Sequence, residues 1–239
     1  MMVPTKLIEL FSRQELKLTQ KQAEQLDRYG DLLLDWNQRM NLTAITQPEE
    51  VAVKHFLDSA LLLAHCGALP ESLSLIDVGT GAGFPGLVLA VLKPEWSITL
   101  LDSLQKRVHF LETVCSELEL ANVTCIHSRA EEGGQNPSLR EKFDVATARA
   151  VANLPLLCEY CLPFVKVGGW FLPMKGTDPQ AEGKRGEKAI RLLGGELKEI
   201  REYSLPDGSY RSLFQIKKVR QTPKQYPRNP GKIKKSPLG

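Results

Sequence analysis

What the chain lacks narrows it first. Its 239 residues contain no apolar run near the roughly twenty needed to span a bilayer, so no membrane partner is expected. The stretch from Met1 to Arg13 is amphipathic and charged rather than a secretory leader, and a cytoplasmic protein is expected. Cysteine is scarce and odd in number: Cys66, Cys115, Cys125, Cys158 and Cys161, all among apolar neighbours. Cys158-Glu159-Tyr160-Cys161 is formally a Cys-x-x-Cys, but no second pair and no neighbouring histidine accompanies it. Buried thiols are therefore expected, not a zinc or redox centre, and no metal is assigned. No internal repeat is visible, and no Asp or Glu occurs from Lys217 to Gly239.

That last absence reveals an asymmetry that the net charge of +3 hides. Eight Lys or Arg fall in residues 217 to 239, which leaves 23 basic against 28 acidic residues in the body. A mildly acidic body with a strongly basic tail suits a polyanionic partner, and equally a solvated tail. With 42% hydrophobic and 25% charged residues, the chain is long enough for one sizeable core.

The first third reads as helical. Leu7, Ile8, Leu10 and Phe11 recur at helical spacing. Thr19 precedes a longer pattern through Ala23, Leu26, Tyr29, Leu33 and Trp36, and Pro48 opens another that runs to Ala64 before Gly67 and Pro70 stop it. After Pro70, short β-rich runs (73–78, 97–101, 123–127, 143–148, 169–174) alternate with helical stretches (86–92, 104–120, 154–165, 178–193). Such alternation predicts an α/β fold with a parallel sheet covered on both faces. Two further strands, 196–204 and 211–219, flank the turn Pro206-Asp207-Gly208-Ser209 and predict an antiparallel closing hairpin. The expected organisation is a helical extension over 1–70, a Rossmann-like domain of seven mostly parallel strands over 71–220, and a basic tail over 221–239. The tail's proline, glycine and lysine content argues against a packed element unless RNA or the domain surface orders it.

Ile76-Asp77-Val78 ends a buried strand, and Gly79, Gly81 and Gly83 follow before Pro85 opens a helix. Glycines there let a ligand approach the main chain closely. The run fits a methyltransferase loop, a dinucleotide fingerprint through Gly81-Ala82-Gly83-Phe84-Pro85-Gly86, and a structural turn. Asp102 ends the second strand, 23 residues after Gly79, where a carboxylate can accept both ribose hydroxyl protons of an adenosine. Ala130-Glu131, after the third strand, can border an adenine and its exocyclic amine. Asp77 stands where methyltransferases carry an acid near the methionine end of their cofactor, or simply orients the loop.

Several motifs taken together are more specific than any glycine loop. Trp36-Asn37-Gln38-Arg39-Met40-Asn41-Leu42-Thr43, His55-Phe56-Leu57-Asp58-Ser59, Asp77 through Gly86, Leu101 through Arg107, Ala148-Arg149-Ala150, Met174-Lys175-Gly176 and Tyr226-Pro227-Arg228 resemble, in order, the small-subunit ribosomal RNA methyltransferase G family, also called glucose-inhibited division protein B. The resemblance implies a class I S-adenosylmethionine-dependent methyltransferase sheet with an N-terminal helical extension. It implies transfer of a methyl group to N7 of one guanine in 16S rRNA, as naked RNA or in the small ribosomal subunit. It places cofactor contacts on Gly79, Phe84, Asp102, Ser103, Leu104, Ala130, Glu131 and Arg149. An NAD-linked oxidoreductase and a non-catalytic RNA-binding assembly factor are the alternatives.

Guanine N7 carries a lone pair and no proton at neutral pH, so its attack on a sulfonium methyl needs positioning but no base. Consistently, Ala148-Arg149-Ala150-Val151 occupies the place where exocyclic-amine methyltransferases often carry Asp/Asn-Pro-Pro-aromatic. Cys125 sits inside a strand with no Pro-Cys pair to suggest a nucleophile. Arg149 and Lys175, ending the fourth and fifth strands, are the candidates for positioning the acceptor, with no general base expected. Asn41, His55, Asp58, Lys175, Tyr226 and Arg228 are candidate RNA contacts. For His55 and Asp58, at i,i+3 spacing, a structural network is an equal expectation, through a bond to each other or by capping the loop from Asn41. Tyr226 and Arg228 interleave an aromatic with basic groups, a composition suited to stacking on bases and holding phosphates. A monomer is expected.

Overall fold

The N-terminal third forms helices whose starts are written in their caps. In the computed structural model, which describes residues 3–149, 152–176 and 178–238, α1 (Pro4–Ser12) begins on a proline and α2 (Gln20–Asn37) on Thr19. The Thr19 hydroxyl accepts the Gln22 N–H at 3.3 Å while the Gln22 side chain accepts the Thr19 N–H at 3.0 Å, a reciprocal capping box. The third helical stretch is not uniform, as its periodicity predicts, but broken in the middle. It runs as α3 (Pro48–Val51), a π-helical turn over Ala52–Leu57, and α4 (Asp58–His65). In the wide turn the Asp58 N–H reaches back five residues to the Val53 carbonyl.

From residue 74 the chain alternates strand and helix: β1 (Ser74–Val78), α5 (Gly86–Leu92), β2 (Ser97–Asp102), α6 (Gln105–Glu117), β3 (Val123–His127), α7 (Ala130–Gly133), β4 (Phe143–Arg149) and α8 (Leu154–Cys161). A 3-10 turn over Leu162–Phe164 then feeds straight into β5 (Val165–Lys175), which is why that strand starts earlier than its apolar run indicates. α9 (Pro179–Leu192), β6 (Gly195–Ser204), β7 (Tyr210–Lys218) and α10 (Pro230–Lys235) complete the order.

The seven-stranded sheet has the order β3-β2-β1-β4-β5-β7-β6, parallel through β5, with β7 inserted antiparallel between β5 and β6. Strand order reverses between β1 and β4. That switch opens a crevice outside the carboxyl ends of the strands, where open α/β sheets bind ligands.

Successive strand residues face opposite sides, and two cores result from that alternation. Leu75, Leu100 and Val145 pack with Leu7, Phe11, Tyr29 and Phe56, so the N-terminal helices share a core with the sheet. Ile76, Leu101 and Ala146 pack on the other face with Leu157, Phe164, Ile190 and Phe214. Each large side chain so buried contributes about 1.5–3 kcal/mol.

The domain surface itself orders the tail. Tyr226, Ile233 and Leu238 are buried, and the Asn229 side chain caps α10 by accepting the Lys232 N–H at 2.9 Å.

Candidate functional site

The loop after β1 is held in a conformation that favours glycine at three positions. Gly79, Gly81 and Gly83 have φ of +70°, +62° and +100°. The Gly79 N–H donates to the Leu101 carbonyl at 2.8 Å, tying the loop to β2. A Cβ on Gly83 would lie 2.4 Å from Leu87 Cδ1 and 2.7 Å from the Tyr29 hydroxyl. Tyr29 donates to the Ala82 carbonyl, so α2 props the loop from behind.

Asp77 lies fully buried beneath this loop. Its Oδ2 accepts from the Thr80 hydroxyl at 2.6 Å and the Gly86 N–H at 2.9 Å, whereas Oδ1 is buried with no hydrogen-bond partner. Burial pushes its pKa up to about 6, with the Thr80 and Gly86 hydrogen bonds pulling the other way. A buried acceptor left unpaired costs about 1–3 kcal/mol, and an N–H donor relieves that cost. The ammonium of an amino-acid-bearing cofactor is such a donor.

Asp102 ends β2 almost wholly buried. Its Oδ2 accepts the Gly81 N–H and its Oδ1 the Leu104 N–H, both at 2.9 Å, and Arg107 stands 3.6 Å away. Each carboxylate oxygen keeps a second lone pair, enough for the two hydroxyls of a ribose. Beside it opens a cavity of about 150 Å³ lined by Val78, Gly79, Ser103, Ala130, Glu131 and Tyr160, among others. Glu131 is buried at the start of α7, and Leu104 lies exposed at the start of α6. The glycine loop, Asp77, Asp102 and the Ala130-Glu131 pair thus converge on the ends of three adjacent strands. Those residues fit an adenosine carrying an amino-acid tail.

On the other side of the loop, Phe84 carries an ionic cluster. The His55 ring stacks on Phe84 at 4.4 Å between centroids, and the Arg149 guanidinium lies 4.8 Å from the Phe84 centroid. Arg149 Nη2 donates to His55 Nδ1 at 3.0 Å, so the ring proton is assigned to Nε2, which meets Thr43 Oγ1 at 2.8 Å. Burial and then Arg149 drive the His55 pKa down to about 3, and the ring is neutral at pH 7. Arg149 Nη1 donates to Asp58 Oδ2 at 3.0 Å and to the Lys54 carbonyl at 3.1 Å, while Arg211 Nε donates to Asp58 Oδ1 at 3.2 Å. Burial pushes the Asp58 carboxyl up against the pull of these two guanidiniums. The wide π-helical turn presents the Lys54 carbonyl, His55 and Asp58 together to Arg149. A cavity of about 350 Å³ opens here, lined by His55, Asp58, Arg149, Met174, Lys175 and Arg211 among others.

His55 and Asp58 therefore do not bond to each other; both hold Arg149. Of the four other candidates, three are engaged within the chain and one is exposed. Lys175, expected to meet a phosphate or the base, instead donates through Nζ to Glu182 Oε1 at 2.8 Å and the Ala152 carbonyl at 2.5 Å, because α9 folds back over the end of β5. Asn41 is exposed, and the turn after α2 is held by Asn37, whose Oδ1 accepts the N–H of Leu42 at 2.7 Å and of Thr43 at 2.9 Å. Tyr226 is buried, and Arg228 pairs with buried Glu159 of α8 at 2.7 Å, so domain contacts occupy the ring and the charge expected to meet RNA. Ala150 and Val151, which come after Arg149, lie outside the described residues.

Arg211, Tyr29 and Tyr160 join the site unannounced by motif, and Thr43 joins it from the end of a motif that assigned it no role. Only the insertion of β7 beside β5 brings Arg211 to Asp58, and Tyr29 reads in the sequence as one more apolar position of α2. Among the described residues, no group of three or more His, Cys, Asp or Glu could hold a metal ion.

The rRNA small subunit methyltransferase G family model matches residues 22–210. The Ribosomal RNA small subunit methyltransferase G of Alkaliphilus metalliredigens is 53% identical over 218 residues, 91% of each chain. That of Acetivibrio thermocellus is 48% identical over 234 residues, 97% of this chain and 95% of the relative. Among solved structures, a SAM dependent methyltransferase from Aquifex aeolicus superposes with a TM-score of 0.52 at 16% identity, over 71% of this chain and 93% of that one. A putative methyltransferase from Bacillus halodurans gives 0.52 at 16%, over 68% and 99%. At such identities the two structures show a shared fold. The glycine loop alone left the cofactor open between a methyl donor and a dinucleotide, and the sequence relatives close that question: the chain belongs to the rRNA small subunit methyltransferase G family, with S-adenosylmethionine as its cofactor.

Proposed function

We propose that this enzyme methylates N7 of a guanine in 16S rRNA, as a cytoplasmic monomer that needs no metal. One observation carries the choice of atom. The two side-chain proton acceptors that line the cavity beside Arg149 are both held by arginines: the His55 Nδ1 lone pair accepts from Arg149, and each Asp58 oxygen accepts one guanidinium N–H. An exocyclic amine or a hydroxyl sheds a proton on methylation and is helped by a base; N7 has none to shed. When bound, the cofactor supplies an electrophilic methyl group on a sulfonium.

The chain's own residues orient the two reactants. Asp77 Oδ1 and the loop from Gly79 to Phe84 take the amino-acid end of the cofactor, Asp102 the ribose hydroxyls, and Ala130 with Glu131 the adenine edge. Arg149 has five N–H donors, of which three go to Asp58, Lys54 and His55. The remaining two, with no acceptor among the described residues, suit guanine O6. Contact at O6 alone leaves the N7 lone pair open. His55 and Asp58 act by fixing that guanidinium over Phe84.

The deciding experiment incubates the enzyme with labelled cofactor and small-subunit RNA from a modification-deficient source, then maps the modified nucleotide and atom. A 7-methylguanine in 16S RNA is expected. A label on an exocyclic amine, a ring carbon or a ribose overturns the reading.

A further inference from the structure

The residues after β7 do more than cover a surface. They cross beneath α7 and α8, the two helices whose Ala130, Glu131 and Tyr160 line the adenine-side cavity, and are bound to both by polar contacts from within the domain. Arg140 is the centre of this lock. Its Nη1 donates to the carbonyls of Gly134 at 2.8 Å and Tyr226 at 2.7 Å, and its Nη2 to those of Thr222 at 2.8 Å and Pro223 at 3.3 Å. One planar fork thus joins the residue just past α7 to three residues of the tail. Gln135 Nε2 adds a bond to the Pro227 carbonyl at 2.9 Å, and a Cβ on Gly134 would lie 2.9 Å from Pro227 Cγ.

A second anchor grips α8. Arg228 donates through Nε and Nη2 to the two oxygens of Glu159 at 2.8 and 2.7 Å, and its backbone N–H reaches the same carboxylate at 2.9 Å. Glu159 is 1% exposed and immediately precedes Tyr160. Where β7 ends, fully buried Lys218 donates to the Thr222 hydroxyl and the Leu162 carbonyl, both at 2.6 Å. Burying a lysine and a glutamate at such cost is unnecessary for a solvated tail.

The outer face has the opposite character. Lys224, Lys232, Lys234 and Lys235 are exposed, and none has a carboxylate partner among the described residues. The segment itself contains no acid to neutralise them. Four ammonium groups on a rigid mount are a surface for phosphates, which they can contact without reading sequence.

We propose that residues 221–238 form a two-faced strap: its inner face positions α7 as the wall of the cofactor cavity, and its four outward lysines dock the RNA phosphate backbone beside that cavity. Arg140 and Arg228 are positioning residues that act through α7 and α8. The outer-face half rests on the RNA substrate proposed above.

The test measures binding of small-subunit RNA and of S-adenosylhomocysteine separately. Changing the four lysines to Gln should weaken RNA binding and lower the slope of log affinity against log salt by about 0.7 for each phosphate no longer neutralised, with S-adenosylhomocysteine affinity unchanged. Arg140→Met should raise the S-adenosylhomocysteine Kd roughly five- to tenfold. An unchanged salt slope in the lysine variant overturns the outer face, and an unchanged Kd in Arg140→Met overturns the inner one. Should Arg140→Met fold poorly, Arg140→Lys, which keeps the charge but not the fork, decides by hydrogen exchange. Faster exchange at Ala130–Gly133 with β1 unaffected supports positioning, whereas equal acceleration in both marks a general loss of stability and overturns it. A wild-type chain that binds this RNA with a lysine-dependent salt slope yet transfers no methyl group sinks the substrate reading and leaves the strap standing.

Discussion

At the cofactor end of the crevice, the contacts come from strand ends and a glycine loop, and one buried oxygen of Asp77 is left waiting for a donor. At the acceptor end, Arg149, Asp58, Arg211, His55 and Lys175 already hold partners in the same chain. One half is completed by its ligand. The other is complete without one, and offers a rigid surface with two spare donors on a single arginine. The difference fits the function proposed above, with a charged, flexible cofactor on one side and a neutral planar base that loses no proton on the other.

The largest effect should come from breaking the self-paired half. Arg149→Met leaves Asp58 with Arg211 as its one cation and strips the donors from the cavity. Methyl transfer in a single-turnover assay should fall on the order of 10²-fold or more, and urea unfolding should show a loss of about 3–5 kcal/mol. A variant of normal activity would remove Arg149 from the acceptor site. On the cofactor side, Asp77→Asn should raise the S-adenosylhomocysteine Kd about tenfold, the loss expected for a hydrogen bond to a charged group. The folded chain holds the Asp77 proton more tightly than the unfolded chain. This carboxyl's contribution to stability therefore declines as pH rises from 3.8 to about 6. A cofactor ammonium favours the ionised form, so S-adenosylhomocysteine affinity should climb over that same interval, and titration calorimetry should find Asp77→Asn flat across it. The smallest effect falls on the support between the halves: Tyr29→Phe, which deprives the Ala82 carbonyl of its donor, should cost about 1 kcal/mol in thermal unfolding. Its effect on cofactor affinity should stay below that of Asp77→Asn.

The cofactor half was the more legible in the sequence. A strand, a glycine run and an acid at the next strand end lie within 26 residues, from Asp77 to Asp102, and each has a local signature in period or conformational freedom. The acceptor half is assembled from four places far apart in the chain, and its partners emerge only from topology. Nothing in Lys175-Gly176 announces that Glu182 returns to neutralise the lysine. Nothing in the tail's composition announces Arg140 or Glu159, whose claims on Tyr226 and Arg228 span 86 and 69 residues. The π-helical turn is equally silent, because its six residues are too few to disturb an apolar rhythm that continues on both sides.

That turn fixes the phase of the helix beyond it. Removing one residue from Ala52–Leu57 would let the stretch from Pro48 to His65 close into a regular helix, rotating its N-terminal turns against its C-terminal turns by about 100°. His55 and Asp58 would then point to different neighbours, and one of them would have to release Arg149. The acceptor site thus depends on the count of residues in a helix as much as on their identity, and a single-codon deletion there should be harder to tolerate than most substitutions.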